Sequence, residues 1–92
     1  MTDPDTSPLA TRLARAKFRA WHRGTREADY TYGCYFDRFH GEWDEAALAW
    51  FEALLDFDDA DVMAWALGTA QPPAHMCGAQ MDALRKLDFV RI

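Results

Sequence analysis

The stretch WHRGTREADYTYGCYFDR, Trp21 to Arg38, decides the architecture: a basic run stops at a glycine and an aromatic run begins. Gly24 is the pivot, because only glycine enters left-handed or otherwise tight backbone conformations without steric cost, as a helix end or a helix start requires. With Gly24 as the N-cap of the second helix, Glu27 falls at the third helical position, where its carboxylate reaches back to exposed amides and complements the helix dipole. A sharper reading starts from Arg23, Arg26, Glu27 and Asp29, which crowd long charged side chains around a two-helix corner beside Trp21, His22 and Tyr30. Such a corner can grip a partner.

Outward from the pivot, the pattern is helical on both sides. Upstream, a first helix is expected over Pro8 to His22, with Ala10, Leu13, Ala14, Phe18 and Trp21 as one apolar stripe and Lys17 as its single charged member. Thr6 or Ser7 before Pro8 offers a cap, and residues 1–7 read as a disordered tail. His22, in the last turn, suits the negative end of the helix dipole better than a role as general base. Downstream, a second helix from about Thr25 to His40 buries Ala28, Tyr32, Tyr35, Phe36 and Phe39. Glu27, Thr31, Cys34 and Arg38 fall on the neighbouring stripe, which leaves Glu27 accessible at the edge of the core. Gly33 in mid-helix costs about 1 kcal/mol against alanine. That cost points to close approach by the backbone of a neighbouring helix.

Three shorter helices follow. Gly41 ends the second, and Asp44 caps a third over about Glu45 to Phe57 with Leu48, Phe51, Leu54 and Leu55 inward. Asp58 or Asp59 caps a fourth over about Ala60 to Leu67, with Val62, Trp65 and Ala66 inward and Gly68 as its stop. Pro72 and Pro73 enforce a turn, after which a fifth helix from about Ala74 to Leu87 carries Cys77, Met81 and Leu84 at core spacing. Of the tryptophans, Trp21 is expected to be partly exposed and Trp50 to lie toward the outer side of its helix. Apolar and polar residues nowhere alternate at strand period, and no internal repeat occurs. The expected fold is therefore all-α, a small five-helix bundle forming a single domain over residues 8–88.

Composition limits the function. Six of the ten basic residues, Arg12, Arg15, Lys17, Arg19, Arg23 and Arg26, precede Glu27 uninterrupted by any acid, whereas nine acidic residues lie between Asp37 and Asp61 against the single Arg38. A positive and a negative end are expected. A net charge of -5 with no readable recognition module argues against nucleic acid as the partner. No apolar run approaches the roughly 18 to 20 residues that span a bilayer, and MTDPDTSP is unlike a signal or transit peptide. The expectation is a soluble cytoplasmic protein of bacterial type, without membrane insertion, whose Cys34 and Cys77 stay reduced and unpaired. His22, His40 and His75 are too scattered with these cysteines for a zinc signature, and neither a phosphate loop nor a nucleophile elbow is present. The chain therefore reads as a protein that is not an enzyme by itself.

Arg23-Gly24-Thr25-Arg26-Glu27 also fits an RGxxE signature, preceded by Trp21 and His22 and followed by Asp29, Gly33 and Phe36, with DFDDADVMAW and ALG further on. In this ordered set, spanning roughly residues 12 to 68, the chain resembles the SdhE or succinate dehydrogenase assembly factor 2 family, small FAD assembly factors once labelled as toxin-neutralising proteins. The resemblance implies a five-helix bundle that binds the flavoprotein subunit of succinate dehydrogenase, and often that of fumarate reductase, and promotes covalent attachment of FAD to a histidine there. It implies no cofactor held stably by the factor itself, the FAD being the partner's, and we expect a monomer. Carried over by residue, Arg23, Gly24 and Glu27 match the functional signature, and Asp29 supports it. Trp21, His22 and Arg26 complete the expected contact surface, with Arg23 offering its fork to a carboxylate or carbonyl of the partner. A toxin-binding module and a nucleic-acid-binding regulator are the rival classes.

Overall fold

Proline at the first helical position loses no hydrogen bond and presets φ, and helix α1 (Pro8–Trp21) begins there in the computed structural model, which describes residues 8–90. The expected tail over residues 1–7, with its cap for Pro8, lies outside the described residues, as do Arg91 and Ile92. Four further helices follow: α2 (Arg26–Phe39), α3 (Glu45–Asp56), α4 (Asp59–Leu67) and α5 (Ala79–Lys86). Two 3-10 turns, His40–Glu42 and Ala74–Met76, join them, and no strand occurs among the described residues. The fold is the expected all-α bundle.

The local signals explain most of the helix ends. Asp44 caps α3 by accepting the Ala47 amide at 2.8 Å, and Gly68 closes α4 in the left-handed region at φ 78°. Asp58 precedes α4 but makes no side-chain cap bond. The fifth helix is shorter than expected because Gly78, at φ 144°, breaks the chain between the 3-10 turn and Ala79. Met76 thereby joins Met81 and Leu84 in the core, whereas Cys77, expected there, is exposed. No disulfide joins it to the buried Cys34.

Tyr35 is the centre of the core. Its ring stacks on Phe51 at 5.8 Å and meets Phe89 edge-on at 5.2 Å, with Phe39, Trp43 and Trp50 around it. Burial of these rings, with Leu48, Leu54, Met81 and Leu84 also in the core, holds the bundle together. Two polar tips of the rings are satisfied by backbone: Tyr35 Oη donates to the Gln80 carbonyl and Trp50 Nε1 to that of Met76, each at 3.0 Å. Gln80 Nε2 in turn donates to the Ala47 carbonyl at 3.1 Å, fixing α5 to α3. Phe89, beyond α5, is buried and brings the chain back over α2.

Helix α1 is rotated from its expected setting. Ala16 and Ala20 are buried, Leu13 and Trp21 are half-buried, and Ala14, Lys17 and Phe18 face outward, Phe18 at 64% exposure. Two alanines let α1 lie close to α2 and α3, and they set Arg12, Arg19 and Arg23 on the same side at i, i+7 and i+11. Those arginines meet acids across the seam: Arg12 pairs with Glu52 at 2.6 Å and Glu45 at 3.4 Å, Arg19 with Asp56 at 2.7 Å, and Arg23 with Asp59 at 2.6 Å. The basic and acidic halves of the sequence therefore face each other side by side, correcting the expectation of two charged ends.

Candidate functional site

Between α1 and α2 the chain turns through four residues. His22 Nδ1 lies 2.7 Å from the Phe18 carbonyl, which can only accept, so this nitrogen carries the proton and helps close the last turn of α1. The imidazole stacks on the Phe18 ring at 4.0 Å and 16°. Gly24 then takes φ 112°, and the space where a Cβ would stand is open. Thr25, not Gly24, is the N-cap of α2: at φ -127° its Oγ1 accepts the Ala28 amide at 3.2 Å. A hydroxyl in place of a bare glycine moves the cap by one residue, so Glu27 stands at the second helical position rather than the third. Its carboxylate is exposed, and no donor among the described residues bonds it.

Arg23 points inward. Its side chain is 12% exposed, with Nη2 and Nε donating to Asp59 Oδ1 at 2.6 and 3.0 Å and Nη2 also to the Leu55 carbonyl at 2.9 Å. The guanidinium lies over the Tyr32 ring, 4.5 Å from its centroid. The fork expected to face a partner is thus occupied by the C-terminal end of α3 and the start of α4, because the inward rotation of α1 carries position 23 over them. Its backbone amide donates to Asp29 Oδ1 at 2.6 Å, so Asp29 holds the turn from the other side. The Tyr32 hydroxyl is buried beside this pair without a hydrogen bond of acceptable geometry. Burial, and next the Asp59 charge, push its ionisation well above the usual phenol range.

Trp21 fixes the outer wall. Its indole covers Gly33, where any Cβ would collide with the ring. The close approach expected at Gly33 is therefore made by a side chain, not by a helix backbone. Nε1 reaches Asp37 Oδ1 at 3.5 Å, and the ring meets Tyr30 edge-on at 6.4 Å. An open groove of about 600 Å3 runs along the corner, lined by Trp21, His22, Gly24, Thr25, Arg26, Asp29 and Tyr30. Five of the seven expected site residues thus share one surface. Glu27 is exposed on the first turn of α2 but does not line the groove, and Arg23 lies beneath it.

Three residues went unread as parts of this site. Asp59 looks like a helix cap in sequence and is the partner of Arg23, a contact across 36 positions that no local pattern encodes. Tyr32 reads as ordinary core, as its burial confirms, and the arginine above it has no sequence mark. Phe18 fits the apolar period of α1 and stands outside; the signal that could have found it is the pair Ala16 and Ala20, the alternative inward face.

A family model described as flavinator of succinate dehydrogenase, Sdh5, matches residues 14–88. Comparison with curated proteins and with solved structures gave no match.

Proposed function

Because the chain belongs to the Sdh5 family, flavinator of succinate dehydrogenase, we propose that it binds the flavoprotein subunit of that enzyme through the corner between α1 and α2 and promotes covalent attachment of FAD there. The observation that carries this reading is Gly24: exposed, at φ 112°, with open space above it, in a groove beside an unbonded Glu27. A partner's backbone can approach such a glycine closely, while Glu27 presents an anion and Arg26 a cation, neither matched among the described residues.

The division of labour we propose follows the role of the family. The bond between flavin and histidine forms within the partner, and this chain contributes by holding the partner's flavin-bearing parts so that the two groups meet, an orientation effect. It acts as a monomer in the cytoplasm, keeps no FAD of its own and is not itself an enzyme; the flavoprotein subunit of fumarate reductase is a second client. Among the described residues no helix is long and apolar enough to cross a membrane, and no three His, Cys, Asp or Glu residues gather as a metal site. The pairing of Arg12, Arg19 and Arg23 with acids of their own chain weakens the nucleic-acid alternative, since half of the basic run is already neutralised.

Deleting the gene tests the proposal. Flavin fluorescence on the denatured dehydrogenase subunit is expected to fall to a small fraction of wild type and to return with the intact gene; unchanged fluorescence would reject it.

A further inference from the structure

Resting on the reading above, we infer that the outer face of α1 at Phe18 extends the docking surface and receives an acidic segment of the flavoprotein subunit that carries an apolar side chain. Phe18 is a large apolar side chain at 64% exposure, yet it is held in place by its stack on His22. A pre-ordered aromatic surface loses little conformational freedom on binding. It forms, with Ala14, Lys17, Trp21 and His22, an apolar depression of about 440 Å3. Trp21 and His22 also line the groove at Gly24, so the two surfaces are continuous.

The charge around the depression states what fits. Arg12, Arg19 and Arg23 are matched by acids of this chain, whereas Arg15, Lys17 and Arg26 have no ion pair among the described residues. Lys17 lines the depression and Arg26 the adjoining groove, so on a chain of net charge -5 this face sets unmatched cations beside an aromatic centre and attracts an acidic segment locally while the rest of the molecule repels one. A segment with a leucine or aromatic residue flanked by Asp or Glu satisfies both halves of the surface. The Phe18 ring would pack on the apolar residue and Lys17 would pair with the acid.

The test is equilibrium binding of the purified flavoprotein subunit to the intact chain at two salt concentrations. Wild-type binding is expected to weaken with salt, and Phe18→Ser and Lys17→Glu each to weaken it on the order of tenfold with helical content unchanged. If both variants bind like wild type while Gly24→Arg does not, the depression lies outside the interface and this inference falls with the docking corner intact. If the wild-type chain fails to bind the subunit at all, the docking corner and this inference fall together. If sedimentation shows a wild-type dimer that Phe18→Ser dissolves, the occupant is a second copy of this chain, which also overturns it.

Discussion

At the scale of single residues, two members of the RGxxE run are set in opposite ways, Glu27 outward and Arg23 inward. Glu27 bonds to nothing among the described residues, so Glu27→Ala is expected to change stability by only about 0.5 kcal/mol, the scale of a lost dipole contact, while covalent flavin on the partner falls severalfold. Thermal melting and flavin fluorescence check the two halves separately. Arg23 works through its own fold: Arg23→Ala leaves the part-buried Asp59 unmatched and is expected to cost about 2 kcal/mol. Exchanging the charges, Arg23→Asp with Asp59→Arg, should recover part of that loss in chemical denaturation. No recovery would mean that Arg23 does not act through this pair. The sequence showed the signature, its glycine hinge and the accessibility of Glu27, all set by local backbone preferences. It did not show where the Arg23 fork goes, because the answer lies 36 residues away.

At the scale of helices, legibility depended on how sharply each face contrasts with its opposite. Leu48, Phe51, Leu54 and Leu55 on α3 are all buried, as expected, since these large apolar side chains fall on one stripe of that helix. On α1 the contrast misleads: Ala16 and Ala20 are the most buried residues, and of the expected stripe Leu13 and Trp21 pack on the core while Ala14 and Phe18 stand outside. Gly78 marks a weak point of the fifth helix in sequence, but Cys77 keeps core spacing across it although the backbone turns away. The joint between α1 and α2 offers a test. Gly33→Ala forces the Trp21 indole off α2 and is expected to cost about 1–3 kcal/mol, against a nominal gain in helix propensity. Thr25→Ala, losing a cap bond alone, should cost about 1 kcal/mol. Denaturant midpoints that rank these two in the opposite order would contradict the packing of Trp21.

At the scale of the whole molecule, the core holds two tyrosines whose phenols ionise harder than usual, Tyr32 through burial and the Asp59 charge and Tyr35 through burial. A raised folded-state value means the unfolded chain loses its protons first, so stability is intact below about pH 10 and falls as pH rises beyond it. Each tyrosine contributes a slope of about 1.4 kcal/mol per pH unit in that window. Tyr35→Phe and Tyr32→Phe should each flatten the alkaline unfolding curve. They differ at neutral pH: Tyr35→Phe loses the bond to the Gln80 carbonyl, at about 1 kcal/mol, while Tyr32→Phe removes a hydroxyl without a good partner and is neutral or stabilising.

The same small, ion-paired bundle holds the corner at Gly24, through which we propose that the flavoprotein subunit is bound. Gly24→Ala and Gly24→Arg strain the backbone alike at φ 112°, but only arginine fills the open space above it. Covalent flavin should therefore be measured on the purified apo flavoprotein subunit incubated with FAD and either variant, under conditions where both remain folded. The account predicts flavin incorporation near wild type with Gly24→Ala and near the factor-free background with Gly24→Arg; equal incorporation by the two variants would contradict it.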